Sequence, residues 1–225
     1  MYKTDNKMYK TDNNMCKSLY SIITVLAIWL TALTAASPCA CADNAGDAAV
    51  KRMVSALQSH KCIEAVFTIR QNNTSSTGSV TMAGKNFHLS TPQMKVWFDG
   101  RTQWAYAPSA GEVNITEPTA DELAQINPLV IISSLSGSFK TQSMKAAAGT
   151  EKVKLTPRGK TDIAEVVITI KKATNLPSAL TVKDGNGHFT GINISSIRPQ
   201  AKVPPATAFR FPSKQYPKVE VVDLR

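Results

Sequence analysis

Three histidines and one pair of adjacent carboxylates are the residues whose types could do acid–base or metal chemistry. His60, His88 and His188 lie in unrelated contexts, with no second histidine four residues away from any of them, so the pattern predicts no metal site. The segment 119–122 (Thr-Ala-Asp-Glu) has the spacing of a capping box, which satisfies free amides at the start of a helix. Acid–base catalysis by Asp121-Glu122 is the alternative interpretation.

Motifs for nucleophilic or cofactor chemistry are missing from the sequence. It contains no nucleophile elbow, no Ser-x-x-Lys, no His-Glu-x-x-His and no glycine-rich phosphate loop. The segment 185–187 (Gly-Asn-Gly) starts like a dinucleotide fingerprint but stands where a hairpin turn is expected. The sequence therefore favours a binding protein without a cofactor over an enzyme. A secreted hydrolase with an unrecognised site is an open alternative.

Composition and charge narrow the class further. The chain has 225 residues, of which 43% are hydrophobic and 19% charged, which is enough to bury a core and argues against a disordered chain. The formal charge is +10, but the basic residues are scattered, with no aromatic residues interleaved in a stripe, so no nucleic-acid partner is expected. Attraction to anionic lipid surfaces or acidic partners is one interpretation of this charge, and simple solvation is the other.

The N-terminal region reads as an export segment. Residues 1–14 are a tandem heptad, which makes Met8 or Met15 an alternative start to Met1. From Met15 a Lys is followed by an apolar run, Leu19 to Leu33, as in a secretory signal.

Small residues at 40–42 then place the predicted cleavage near Ala42, and an uncleaved membrane anchor is the alternative. We therefore expect a signal segment over 1–42 and one exported domain over 43–225. Cleavage leaves Cys62 as the remaining cysteine, and its place at the start of an apolar strand predicts a small buried side chain.

The exported part begins with a helical pattern and then changes period. Val50, Met53, Val54 and Leu57 recur at helical spacing, with Asp47 as the candidate N-cap. From Cys62 onward, short segments of period two alternate with turn residues. No strand alternates with a long helix, which argues against β-α-β units.

Two features stand out among these segments. Asp99-Gly100 between aromatic-rich runs predicts a hairpin with a type I′ turn. Between the two groups of strands, Asn127-Pro128 starts a short apolar helix that cannot be stable in water by itself. We expect this helix to be a lid, with Leu129, Ile132 and Leu135 directed at an apolar cavity.

The predicted fold is mainly β: a single antiparallel sheet of about eleven strands, curled into an incomplete barrel and covered by the N-terminal helix and the helical lid. Its interior is expected to be an apolar cavity lined by one parity of each early strand, and the packed core of a β-sandwich is the alternative interpretation of the same residues. The face of strand 94–98 is ambiguous, because its largest side chain, Trp97, lies on the other parity. The predicted lining residues are Phe67, Ile69, Val80, Met82, Phe87, Leu89, Met94, Val96, Phe98, Trp104, Tyr106, Val113 and Ile115.

Several motifs in order resemble the LolA-type family of periplasmic lipoprotein carriers. Segment 98–108 has the strand, Asp-Gly and Trp-x-Tyr-x-Pro arrangement of that family. Asn127-Pro128-Leu129 matches its lid, 67–71 and 78–80 match its opening strands, and 208–212 (Ala-Phe-Arg-Phe-Pro) matches its ending.

The resemblance implies a monomeric carrier that is located in the periplasm and binds the acyl chains of lipoproteins. Its implied partners are an inner-membrane ABC-type release complex and an outer-membrane acceptor. An envelope sensor of lipids or lipoproteins with the same fold is the alternative, and such a sensor would be expected to carry a second domain. The family usually latches its closed lid with an Arg, whose aligned position here is Gly84-Lys85, so Lys85 is the candidate latch.

Overall fold

The computed structural model describes residues 44–71, 73–119, 138–159 and 162–225. The predicted signal segment, the carboxylates of the predicted capping box and the lid residues Leu129, Ile132 and Leu135 lie outside these ranges. Within them, no helix combines the length and the apolar character needed to cross a membrane.

The described chain contains one α-helix, twelve strands and, before the last strand, two short 3-10 helices, Ala206–Phe209 and Ser213–Gln215. The helix, α1, spans Asn44–Gln58, and its apolar stripe of Val50, Met53 and Leu57 is buried, as the helical spacing predicts. The strands are β1 (Ile63–Gln71), β2 (Thr74–Ala83), β3 (Asn86–Ser90), β4 (Lys95–Phe98), β5 (Gln103–Ala107), β6 (Glu112–Thr116), β7 (Phe139–Met144), β8 (Thr150–Pro157), β9 (Ile163–Lys171), β10 (Pro177–Asp184), β11 (Phe189–Pro199) and β12 (Glu220–Asp223).

All twelve strands belong to one sheet, in the order β12-β6-β5-β4-β3-β2-β1-β11-β10-β9-β8-β7. The sheet does not close, because β12 and β7 are its two edges, so the fold is an incomplete barrel with an N-terminal helix, as predicted. The expectation of a purely antiparallel sheet is wrong at one edge, where β12 runs parallel to β6. Parallel neighbours need a crossover connection, and its last part, residues 200–219, here called the tail, leads from the end of β11 to this edge.

Helix α1 packs on the β7–β8 end of the sheet and is fastened there by polar contacts. The Oγ1 of Thr141 donates to Oδ1 of Asp47 at 2.8 Å, and the guanidinium of Arg52 lies 2.8 Å from a carboxylate oxygen of Glu151. Asp47 is in the first turn rather than at the N-cap, since the helix begins three residues earlier. Its carboxylate therefore joins the helix to a strand, which the sequence pattern did not indicate.

The hairpin predicted at Asp99-Gly100 is present, with a different turn. Four residues, 99–102, join β4 to β5, so that Phe98 pairs with Gln103. Gly100 has φ +96° but Asp99 has no positive φ, whereas a type I′ turn needs both. The Oδ1 of Asp99 instead accepts hydrogen bonds from the amides two and three residues later, at 3.2 and 3.0 Å, a local bonding that favours Asp in turns.

Candidate functional site

The inner face of the sheet, meaning the face on which α1 packs, carries two continuous apolar rows. Directly opposed side chains on neighbouring strands lie roughly 5 Å apart, so each row is an unbroken apolar surface. The first row crosses six strands through Ile197, Ala65, Val80, Leu89, Val96 and Ala105. The second crosses four strands through Ile63, Met82, Phe87 and Phe98. Together with the apolar stripe of α1, these residues form the main core.

Nine of the thirteen residues predicted to line an apolar cavity lie on this inner face. The uninterrupted pairing of β1 with β2 and the burial pattern of β2 to β4 place them there. They are Phe67, Ile69, Val80, Met82, Phe87, Leu89, Met94, Val96 and Phe98. The ambiguity over strand 94–98 is thereby resolved: its even-numbered residues point inward and Trp97 points outward.

The other four predicted lining residues lie on the opposite, outer face, and their assignment to the cavity is wrong. Trp104 pairs with Trp97 and Ile115, and Tyr106 pairs with Lys95 and Val113. The loop between β4 and β5 has an even number of residues, which makes the inward Phe98 oppose an odd-numbered residue, Gln103. Every aromatic side chain of β5 is consequently directed outward.

A glycine on β2 makes room for the largest inward side chain of β1. Gly78 lies opposite Phe67, and a Cβ built on Gly78 would lie 2.8 Å from the Phe67 ring and 2.8 Å from the carbonyl oxygen of Ser90. The ring of Phe67 therefore lies across the bare backbone of β2. This allows an aromatic residue to lie flat on the inner face at a point where the sheet has no side chain.

The outward aromatic residues of β4 and β5 form a second cluster with the tail. Phe211 contacts Trp97 at a centroid distance of 5.5 Å, and Tyr216 contacts Tyr106 at 4.9 Å and Phe211 at 5.3 Å. Trp97 is 4% exposed, so it is a core residue of this outer cluster. The aromatic concentration in the first half of the sequence thus stabilises the crossover to β12.

Polar atoms at the edge of the outer cluster connect the same elements. Lys95 donates from Nζ to the hydroxyl of Tyr216 at 2.8 Å and also lies over its ring. His88 stacks on Trp97 at 5.0 Å, and its buried Nε2 has no hydrogen-bond partner among the described residues. Burial lowers the pKa of His88, and the positive charge of Lys95 lowers it further, so the ring is neutral at pH 7.

Cys62 is a small buried residue, as predicted. Its thiol is free and fully buried, in contact with Phe209 of the tail and Ala83 at the end of β2. Burial raises the pKa of this thiol, which makes it a poor nucleophile.

The second half of the sheet extends the inner apolar face, and the predicted lining set missed it. Ile168 opposes Val153 on one side and Leu180 on the other, and Leu180 in turn opposes Ile192. The alternation of residues in 163–171 indicated an inward apolar face in the sequence, since one parity of that segment is nearly all apolar. In β11 the signal is weaker, because an extra residue between the pairs of Val66 and Phe67 shifts the parity of the strand.

The candidate latch, Lys85, is exposed in the turn between β2 and β3. The lid that it would hold lies outside the described residues, so the latch role stays a prediction. Within the described ranges, no three His, Cys, Asp or Glu residues lie close enough to hold a metal ion.

Comparisons with known proteins give similar solved structures and one family match. Among solved structures, an uncharacterized conserved protein from Thermus thermophilus has a TM-score of 0.54 at 12% identity, covering 80% of this chain and 99% of its own. The lipoprotein LppX of Mycobacterium tuberculosis has a TM-score of 0.41 at 13% identity, covering 72% of this chain and 100% of its own. A LolA superfamily protein from Nitrosomonas europaea has a TM-score of 0.39 at 9% identity, covering 74% of this chain and 97% of its own. No curated protein sequence matches the chain.

The first of these likenesses shows a shared fold, namely a large sheet of the same kind. A family match is more specific, because it covers residues 39–186, which is more than half of the chain, and is described as outer membrane lipoprotein carrier protein LolA. It includes α1 and strands β1 to β10. This chain belongs to the LolA family of outer membrane lipoprotein carrier proteins.

Proposed function

We propose that this protein is a periplasmic carrier that binds the acyl chains of lipoproteins on the inner face of its sheet and moves them from the inner to the outer membrane. The observation that carries the proposal is the inner face itself, with its two unbroken apolar rows, the longer of which runs from β11 to β5. An open sheet that is apolar along a row of six strands offers an extended surface to a long chain. Family membership supports the same class of ligand.

The energetic need for such a carrier follows from the cost of hydrating an acyl chain. Each methylene in water costs ~0.8 kcal/mol relative to an apolar site, so a chain of ~16 carbons costs about 13 kcal/mol. A carrier need not bind more tightly than a membrane; it only has to remove the cost of water. Transfer between bilayer and protein is then nearly thermoneutral, and the chain can be both loaded and released.

The lid belongs to this proposal. Leu129, Ile132 and Leu135 would cover the inner face when it is empty and move aside when it is loaded, with Lys85 as a single-point latch. Ile132→Asp tests this role, because a carboxylate would oppose docking of an apolar lid. Unchanged binding of a fluorescent acyl probe in this variant would contradict the lid role without affecting the rest of the proposal.

The acyl site itself is tested by exchanging single side chains on the two faces. Leu89 is inward and Ile115 is outward, both are partly buried, and the sequence pattern alone assigned both to the cavity. Leu89→Asn should weaken binding of a fluorescent 16-carbon fatty acid about thirtyfold, since ~2 kcal/mol of apolar contact is lost. Ile115→Asn is the matched control and should change binding less than threefold.

Equal losses in the two variants, or none in either, would refute the inner-face site. Thermal melts establish that both variants fold. Mass spectrometry of the purified chain supplies an independent test: the proposal predicts co-purified acyl lipid.

The cellular setting is part of the same proposal. The signal segment over 1–42 would export the chain, and the domain over 43–225 would act as a monomer in the periplasm. We infer that it is a binding protein rather than an enzyme, loaded by an ABC-type release complex and unloaded at an outer-membrane acceptor.

A further inference from the structure

The outer face of the sheet is divided into two halves of different character. The tail packs on the outer side of β3, β4 and β5 through Phe209, Phe211 and Tyr216. The other half, across β7, β8, β9, β10, β11 and β1, is about 24 Å wide at the usual strand spacing. Its exposed residues show that it is open to solvent.

This second half is basic. Of the cations that the strand register directs outward from it, six are here called the basic outer face: Arg70, Lys140, Lys152, Lys154, Lys171 and Lys183. Glu165 is the acid among them and lies 4.0 Å from Lys154. At one end of the same face, Arg198 opposes Glu64 in register. No described carboxylate lies within ion-pair distance of Arg70, Lys140, Lys152 or Lys171.

Two apolar side chains stand at the margins of the basic outer face. Phe189 is 56% exposed at the β10–β11 hairpin, and the Nζ of Lys183 lies over its ring at 5.4 Å. Met144 is 41% exposed at the end of β7, directly opposite Lys152. Exposed aromatic and thioether groups next to lysines are the composition that enters a lipid headgroup region.

We propose that the basic outer face docks on the surface of anionic phospholipid bilayers. Its charges are spread over five strands as lysine point charges plus one arginine, which matches a planar array of lipid phosphates. Binders of nucleic acid instead align cations along a groove with stacking aromatic side chains between them. The proposal does not depend on acyl binding, because the inner face lies on the other side of the sheet.

Docking through this face leaves the inner face turned away from the bilayer. The protein would therefore dwell at a membrane without its apolar surface inserting into it. Each lysine near an anionic surface contributes about a fivefold factor to partitioning at moderate salt. Reversing three of the six charges should lower partitioning at least a hundredfold.

Sedimentation with vesicles tests the proposal on the full chain. The vesicles are phosphatidylcholine alone or phosphatidylcholine containing about one-third phosphatidylglycerol. Two triple variants of equal net charge are compared: R70E/K152E/K171E on the basic outer face, and K51E/K202E/K218E on exposed sites of α1 and the tail. The expected result is strong, salt-sensitive binding of the parent chain to anionic vesicles, a hundredfold loss in the first variant and less than tenfold in the second.

Three results would overturn the proposal. Equal losses in the two variants would mean that net charge, not this face, governs binding. Equal binding to neutral and anionic vesicles would mean that apolar insertion dominates. Tighter binding to a single-stranded oligonucleotide than to anionic vesicles, lost in the first variant, would assign the face to nucleic acid. Binding of the acyl probe should be unchanged in R70E/K152E/K171E, which separates this face from the acyl site.

Discussion

Truncating Tyr216 tests whether the tail is an integral part of the fold. Its ring contacts Trp97 at 6.2 Å, Tyr106 at 4.9 Å and Phe211 at 5.3 Å, and its hydroxyl accepts a hydrogen bond from Lys95. Aromatic pairs of this kind are worth ~0.5–1.5 kcal/mol each, and a hydrogen bond from a charged donor at a half-exposed site adds ~1 kcal/mol. Because the side chain is only partly buried, we expect Tyr216→Ala to lower the free energy of unfolding by about 2–4 kcal/mol.

Urea unfolding with tryptophan fluorescence is the assay, since Trp97 and Trp104 both belong to the outer face. Tyr216→Ala should shift the midpoint to lower urea and shift the emission of the folded chain to the red. Tyr216→Phe keeps the ring contacts and loses the hydrogen bond, so its cost should be about 1 kcal/mol.

The matched control is Phe189→Ala, an aromatic truncation of similar size at a 56% exposed side chain. It should change the free energy of unfolding by less than ~0.5 kcal/mol. If Tyr216→Ala lowers the free energy of unfolding by no more than this control, the tail does not stabilise the fold and the outer cluster is not a core.

Three further predictions concern single contacts. Gly78→Ala should lower the free energy of unfolding by ~1–3 kcal/mol, because its Cβ would lie 2.8 Å from the Phe67 ring, and an unchanged urea midpoint would contradict that packing. The lowered pKa of His88 means that the unfolded chain takes up a proton first as pH falls below about 6.5, so stability declines there; His88→Phe should shrink the difference between urea midpoints at pH 7 and pH 5. For Asp99, burial raises the pKa, but two backbone amides and Arg210 bring it below its usual range, so its stabilisation is present above pH ~4 and lost below. Arg210→Gln should cost ~0.5–1 kcal/mol at pH 7 and weaken that acid dependence, and identical acid titrations of unfolding would argue against the pair.

The division of the predicted lining residues between two faces has a simple origin. Side chains alternate between the two faces of a strand. When both faces carry apolar residues, the sequence of the strand does not show which face is directed inward. In β4, Val96 and Phe98 compete with Trp97, and in β5 the aromatic residues are Trp104 and Tyr106. The aromatic residues of β5 were assigned to the cavity on the assumption that all large apolar side chains face the same interior. In this fold they pack on both faces of the sheet.

The sequence did contain a clue against that assumption. Any hairpin loop with an even number of residues makes an even-numbered residue oppose an odd-numbered one. If Phe98 is inward, Trp104 and Tyr106 must then be outward, whether the loop has two residues or four. The burial of the outward residues could not be foreseen in the same way, because it depends on Phe211 and Tyr216, more than a hundred residues farther along the chain.

Local pattern by itself determined a helix before a long series of short strands, the hairpin at Asp99, the buried Cys62 and the resemblance to the lipoprotein carriers. These features depend on the period of apolar residues and on turn chemistry, both of which act over a few residues. The tertiary structure decided which face of each strand is directed inward, the parallel pairing of β12 with β6, the outer cluster under the tail and the position of six cations on one open half of the sheet. Those outcomes depend on strand register and on where the crossover runs. A strand with apolar residues on both faces is stabilised by burial of either face, so the distant segments that cover it decide which face is buried.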